Sequence, residues 1–300
     1  MCEKFGSFFN LSPIFALSAA FRKEVAHNNG MPAFFTHEIV CERALNRLSP
    51  ELVRTIDRSL YRVGAQGGDP LFFYRTKKRR VGVLLHRKNV YALFNALLSF
   101  KNLSFPLGYL THYATDTVFH PYVYRTVREK GAEFPRHNLH AMLERDIDRL
   151  LRDCARPFDD RPLQPNKNTL KTLYADLAPV LRSIYGVSVR YEKFVLAYRA
   201  YFFLQTFLQA HGDALRPTVT GAERVLFLRH ALSDLMPRGA RERSLFERQD
   251  FSEQVVCDLA EKSVRKSVRL IEQFLLARES ETPLPEKPFS EDFNKGKEDS

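Results

Sequence analysis

The stretch Leu110-Thr-His-Tyr-Ala-Thr-Asp-Thr-Val-Phe-His-Pro121 decides the reading of this 300-residue chain. His112, Asp116 and His120 stand at i, i+4 and i+8. On a helix these positions drift only about 80° around the axis, so one face carries all three. His-x-x-x-Asp-x-x-x-His on one helical face is metal-ligand spacing. His140 and Glu144 repeat the i, i+4 spacing, and His37, Asp69 and His86 lie upstream. Seven of the nine histidines fall within the first 140 residues, so ligand-type side chains are concentrated in that part of the chain.

The surrounding sequence reads as helix nearly throughout. Thr36 is a candidate N-cap, followed by Ile39, Val40, Ala44 and Leu45 at helical spacing. Ser49-Pro50 predicts one helix running through Leu52, Ile56 and Leu60. Three glycines and a proline make 64–70 a loop that turns tightly and presents Asp69. No Gly-Lys-Ser/Thr follows, which argues against a nucleotide P-loop. Ser104-Phe-Pro106 opens the His112 helix, and Pro121 closes it, leaving His120 at the helix end. Further helices are predicted over 168–185, 188–210, 221–235 and 250–278. No strand pattern of useful length and no repeat are present. From Thr282 the chain is rich in Pro, Lys, Glu and Ser and reads as a disordered tail over 282–300.

Composition bounds the function. A hydrophobic fraction of 44 % and 27 % charged residues are ordinary for a globular protein. A formal net charge of +11 suits anionic partners: phosphates, nucleic acid or an acidic lipid surface. The Arg75–Arg80 run is a solvated loop that could face a negatively charged substrate. Cys2, Cys41, Cys154 and Cys257 form no Cys-x-x-Cys pair, which argues against a zinc ribbon or a disulfide scaffold and for reduced thiols. No stretch is apolar for the roughly 18 to 20 residues of a membrane span. Residues 1–30 read as an N-terminal extension. Its apolar run from Ser7 to Phe21 is a weak signal-peptide pattern interrupted by Asn10, Ser12 and Pro13, and Met31 is an alternative start. The cytoplasm is favoured, with secretion the alternative. A single helical domain is expected over 31–281.

Imidazole nitrogen and carboxylate oxygen hold zinc in roughly tetrahedral sites, and catalytic sites keep a position for water. Two or three such ions together can bind both oxygens of a displacement at phosphorus. Helical proteins supply such ligands from i, i+4 pairs that converge on one interior point. His27, His211 and His230 receive no role, His137 ranks below His140, and Asp148 reads as the continuation of a polar face. The ligand types alone leave zinc, manganese and iron open.

Three motifs in order resemble the zinc-dependent phospholipase C and single-strand nuclease superfamily, in its bacterial phospholipase C-like branch. They are Met-Pro-x-x-x-Thr-His at 31–37, Gly-x-Gln-Gly-x-Asp-Pro at 64–70 and Gly-Tyr-Leu-x-His-x-x-x-Asp-x-x-x-His-Pro-Tyr at 108–122. The resemblance runs from about Met31 to Leu150, and the second half resembles no family beyond being helical. It implies a compact all-α, multi-helix domain with an interior polynuclear metal cleft holding two or three zinc ions. Asp69, His86, His112 and Asp116 would hold one zinc. His120, His140 and Glu144 would hold the second. His37 would hold the third, sharing Asp116 as a bridge. Asp69 would also be the catalytic residue, orienting or deprotonating the water that attacks a phosphodiester.

Two departures from the family pattern stand out. The secreted phospholipases complete the third site with a processed N-terminal Trp, and this chain has no Trp. Cleavage near Ala20, or a start at Met31 with loss of the Met, would expose a new amine upstream of His37. The gap between Asp116 and His120 is also shorter than in those relatives, so the second zinc could sit differently. The leading expectation is a zinc-dependent phosphodiester hydrolase of the phospholipase C type. The alternatives are a zinc nuclease on single-stranded nucleic acid and a non-enzymatic, metal-stabilised helical protein. The expected partners are a phospholipid or other phosphodiester and, transiently, an anionic membrane surface. No stable nucleic-acid complex is expected, and the oligomeric state is open.

Overall fold

A computed structural model describes residues 34–77, 79–134, 137–154, 163–225, 236 and 252–293. Among these, every regular element is a helix, and Arg75 pairs with Arg80 in an isolated antiparallel bridge. The longer helices are α1 (Phe34–Leu45), α3 (Arg58–Ala65), α4 (Val81–Arg87), α5 (Val90–Leu97), α6 (Ser104–Lys130), α7 (Leu139–Cys154), α8 (Lys167–Tyr185), α9 (Tyr191–Val225) and α10 (Glu253–Glu279). Short helices α2 (Pro50–Thr55) and α11 (Glu286–Phe289) and a 3₁₀ turn at Asp69–Phe73 complete the set. The N-terminal extension, His27 and His230 lie outside the described residues, as does the side chain of His211.

The central element is α6. It packs against α3, α10, α1 and α7, and every residue from Ser104 to His120 is buried. A helix enclosed on all sides needs apolar or internally paired residues all round. Leu107, Leu110, Ala114 and Phe119 supply the first kind. Thr111, Thr115 and Thr117 supply the second, each returning its hydroxyl to a backbone carbonyl three or four residues earlier. Where α3 crosses α6, Gly64 and Gly108 let the backbones meet. A Cβ on Gly64 would stand 2.3 Å from the Phe105 carbonyl oxygen, and one on Gly108 2.0 Å from that of Tyr61.

Several sequence expectations are corrected here. The helix does not end at Pro121 but runs nine residues further within α6, to Lys130. The missing proline N–H removes one backbone bond, while burial of Tyr122 and Val123 beyond it holds the chain helical. His120 is therefore a mid-helix residue. Thr36 is not an N-cap but lies within α1. The helix expected from Ser49 through Leu60 is two, because Ile56 is extended and Asp57 caps α3 by accepting from the Leu60 amide. The segment 191–225 is one helix rather than two broken before Gly221.

The disordered tail is also corrected as far as Phe293. Leu284, Phe289 and Phe293 are buried in the core, so three apolar anchors hold a segment whose average composition is polar. Residues 294–300 lie outside the described residues. No helix is long and apolar enough to cross a membrane, among the described residues.

Candidate metal centre

Five pieces of backbone bring eight ligand-type side chains to one place, all buried. His37 comes from the first turn of α1, Asp69 from the 3₁₀ turn and His86 from the end of α4. His112, Asp116 and His120 come from α6, and His140 and Glu144 from α7. They form three groups whose ligand atoms lie within 4.8 Å of one another: His37, His112 and Asp116; Asp69, His86 and His112; His120, His140 and Glu144. Every residue singled out in the sequence as a candidate ligand is in one of them. His137 is not; its ring lies against Phe134.

Asp116 links the groups. Its Oδ1 stands 3.4 Å from His37 Nε2 and 4.0 Å from His120 Nε2. Its Oδ2 stands 3.3 Å from His112 Nε2 and 3.7 Å from His86 Nε2. The short three-residue spacing to His120 does not take that ring out of reach, since His120 Nε2 is 3.5 Å from Glu144 Oε1. His140 Nε2 is 2.9 Å from the same oxygen.

The local sequence explains the placement. Gly67 adopts φ of +50°, and a Cβ there would meet the His112 ring at 2.1 Å. Only glycine satisfies both demands. Gln66, fully buried, accepts from the Tyr201 hydroxyl and donates to Glu38, pinning the loop between α9 and α1. Asp148, read as the continuation of a polar face, does continue that face, as a buried group. It accepts from the Phe35 and Thr36 amides and the Thr36 hydroxyl at the start of α1. This satisfies amide groups that the first turn of a helix leaves unpaired. The sequence signal was available: Asp148 continues the face of His140 and Glu144 at i+4 and i+8.

Two further orienting groups are main-chain carbonyls. His86 Nδ1 donates to the Gly82 oxygen at 2.8 Å, and His120 Nδ1 to the Phe293 oxygen at 2.7 Å. No side-chain motif could have shown either. Each fixes the tautomer and leaves Nε2 of the neutral ring as a lone pair aimed inward.

The donor set fits a cation. The inward lone pair of His86 faces Asp69 Oδ1 at 3.1 Å and His112 Nε2 at 3.1 Å. Both oxygens of Asp69 and Oε2 of Glu144 are buried without a hydrogen-bond partner. Unpartnered buried acceptors are costly, and a positive ion among them relieves that cost. The electrostatics agree. Burial holds His37 down at about 3, with the charges of His120 and His86 acting the same way. Burial also lowers His86 and His112 and raises Asp69. Burial lifts Asp116 to about 7, against the opposing pull of His120 and His86. Burial alone would lower His120, but Asp116 and then Glu144 carry it up to about 9. Burial alone would raise Glu144, but His140 and His120 bring it to about 2. A proton on His120 thus acts as the local cation, in a place where a metal would replace it.

A family model described as zinc-dependent phospholipase C matches residues 36–195, just over half of the chain. The chain belongs to this family. The match includes all eight converging residues and runs beyond Leu150 through α8 into α9, so the family likeness is longer than the motifs had indicated. No curated protein and no solved structure matches the chain. Membership places it among zinc-dependent, phospholipase C-like hydrolases, and the all-helical architecture with its buried His and Asp groups accords with that.

Proposed function

We propose that this protein hydrolyses the phosphodiester of a phospholipid on the phosphate side of its glycerol, using zinc held by the eight converging residues. The observation that carries the reading is Asp116, whose two oxygens face different sets of imidazoles, as a carboxylate shared between ions must. Asp69, His86, His112 and Asp116 hold one zinc. His120, His140 and Glu144 hold the second. His37, with Asp116, holds the third. Bound there, zinc supplies Lewis acidity toward phosphoryl oxygens and a water that ionises near neutral pH.

The protein's own residues do the rest. Asp69 has no hydrogen bond to either oxygen, which leaves a lone pair to orient the attacking water and take its proton. Gly82 and Phe293 fix two imidazoles through their carbonyls. Three carboxylates against two or three dications leave the filled site positive, which suits an anionic phosphodiester. For transient contact with an anionic membrane, a cavity of about 660 Å³ offers Lys77, Arg79 and Lys88 beside the loop that joins Asp69 to His86.

The test is hydrolysis by the zinc-loaded protein of phospholipid vesicles, single-stranded oligonucleotides and a bis-aryl phosphodiester. Release of phosphorylated headgroup, lost together with zinc in the His112→Ala/Asp116→Ala variant, is the expected result. Cleavage of oligonucleotides alone moves the assignment to a nuclease, a substrate that the net charge of +11 also suits. Full hydrolysis by the variant contradicts the proposal.

A further inference from the structure

The proposed metal centre has a wall built by residues 282–293, far in sequence from every ligand. Phe293 is fully buried, and its ring centroid lies 5.0 Å from that of His86 and 5.9 Å from that of His112. Its carbonyl accepts from His120 Nδ1. His86 receives the same kind of support from Gly82, within its own helix. For His120 the supporting oxygen comes from a residue 173 positions away. The orientation of this imidazole therefore depends on a distant segment being seated.

That segment is tied down by residues that are not candidate ligands. The Tyr113 hydroxyl donates to the Pro288 carbonyl at 2.8 Å and accepts from the Glu291 amide at 2.9 Å. Lys266 on α10 pairs with Glu291. Tyr91 donates to the Leu284 carbonyl, and Asn95 accepts from the Leu284 amide. Tyr113 is the residue after His112, so α6 offers a candidate ligand and the strap's main anchor from adjacent positions.

We propose that residues 282–293 are a strap that positions the metal centre: the Phe293 carbonyl sets His120, and its ring braces His86 and His112. This rests on the zinc reading above. Retention of the ion at His120, His140 and Glu144 then depends on the seated strap, because a ligand imidazole whose second nitrogen loses its partner binds metal more weakly.

The test uses the full-length chain as Tyr113→Phe/Glu291→Ala and, separately, Phe293→Ala. The readouts are zinc per chain, the rate of zinc release to a chromophoric chelator, the visible absorption of the cobalt-loaded protein, and circular dichroism for fold. Both variants are expected to keep their helix content and to release one ion on the order of 10- to 100-fold faster than the wild type, with altered cobalt bands. Should the double variant unfold, Tyr113→Phe alone gives the same comparison. Folded variants with the wild-type release rate and cobalt spectrum overturn the strap while leaving the zinc centre standing. A wild-type chain that holds no zinc overturns the zinc reading and the strap with it.

Discussion

Asp148 on α7 receives both the amide and the hydroxyl of Thr36 on α1, each at 2.7 Å. One carboxylate thus joins the helix that carries His37 to the helix that carries His140 and Glu144. Removing it leaves the Phe35 and Thr36 amides buried and unpaired, at a cost of about 1–3 kcal/mol per orphaned group. Asp148→Ala is therefore expected to lower the melting temperature and to weaken metal binding at His37. Thermal unfolding with zinc analysis checks this. An unchanged melting temperature would show that the link contributes nothing.

Gly67 faces the His112 ring. In Gly67→Ala the new methyl must displace a buried imidazole, and the residue must keep a positive φ, a strain of about 1–3 kcal/mol for the backbone alone. The expected variant is less stable and holds less zinc, and the two effects appear together. Normal zinc content would mean that the loop can yield without moving His112.

Zinc binding should depend on pH through protons that the metal-free site holds. His120 is raised to about 9 and Asp116 to about 7. Both groups must be deprotonated to serve as ligands, and their raised values make the metal-free form proton-rich. Apparent zinc affinity is therefore expected to rise with pH from below 7 towards 9. His37, already neutral, adds nothing. Calorimetry in buffers of different ionisation heat should register more proton release at pH 6 than at pH 8. Release that is absent at both would contradict the assignment of His120 and Asp116.

The groups should also separate by substitution. His140→Ala touches only the group with His120 and Glu144, and is expected to cost one ion. Asp116→Ala touches all the imidazoles on α1, α4 and the first part of α6, and is expected to cost more than one. Equal losses from both variants would argue against a shared carboxylate.

The reading of the sequence went furthest where helical periodicity and chemistry coincide. His112, Asp116 and His120 share a face because 3.6 residues per turn put them there, and the all-helical fold followed from the same periodicity. His37 and Asp69 stood out as ligand types upstream, but their assignment to particular ions came through motif resemblance, since nothing in local spacing joins a helix start to a glycine loop. Pro121 misled because a local preference was overridden by packing on both sides of it. Phe293 was invisible for two reasons. Its contribution is a main-chain oxygen, and its segment is polar on average although Leu284, Phe289 and Phe293 are each buried.

The most direct test of the central claim is the metal content per chain of the purified full-length protein, by inductively coupled plasma mass spectrometry. The account expects two or three zinc ions per chain, reduced in Asp116→Ala by more than one. A protein that holds no metal even when purified with zinc supplied would contradict it.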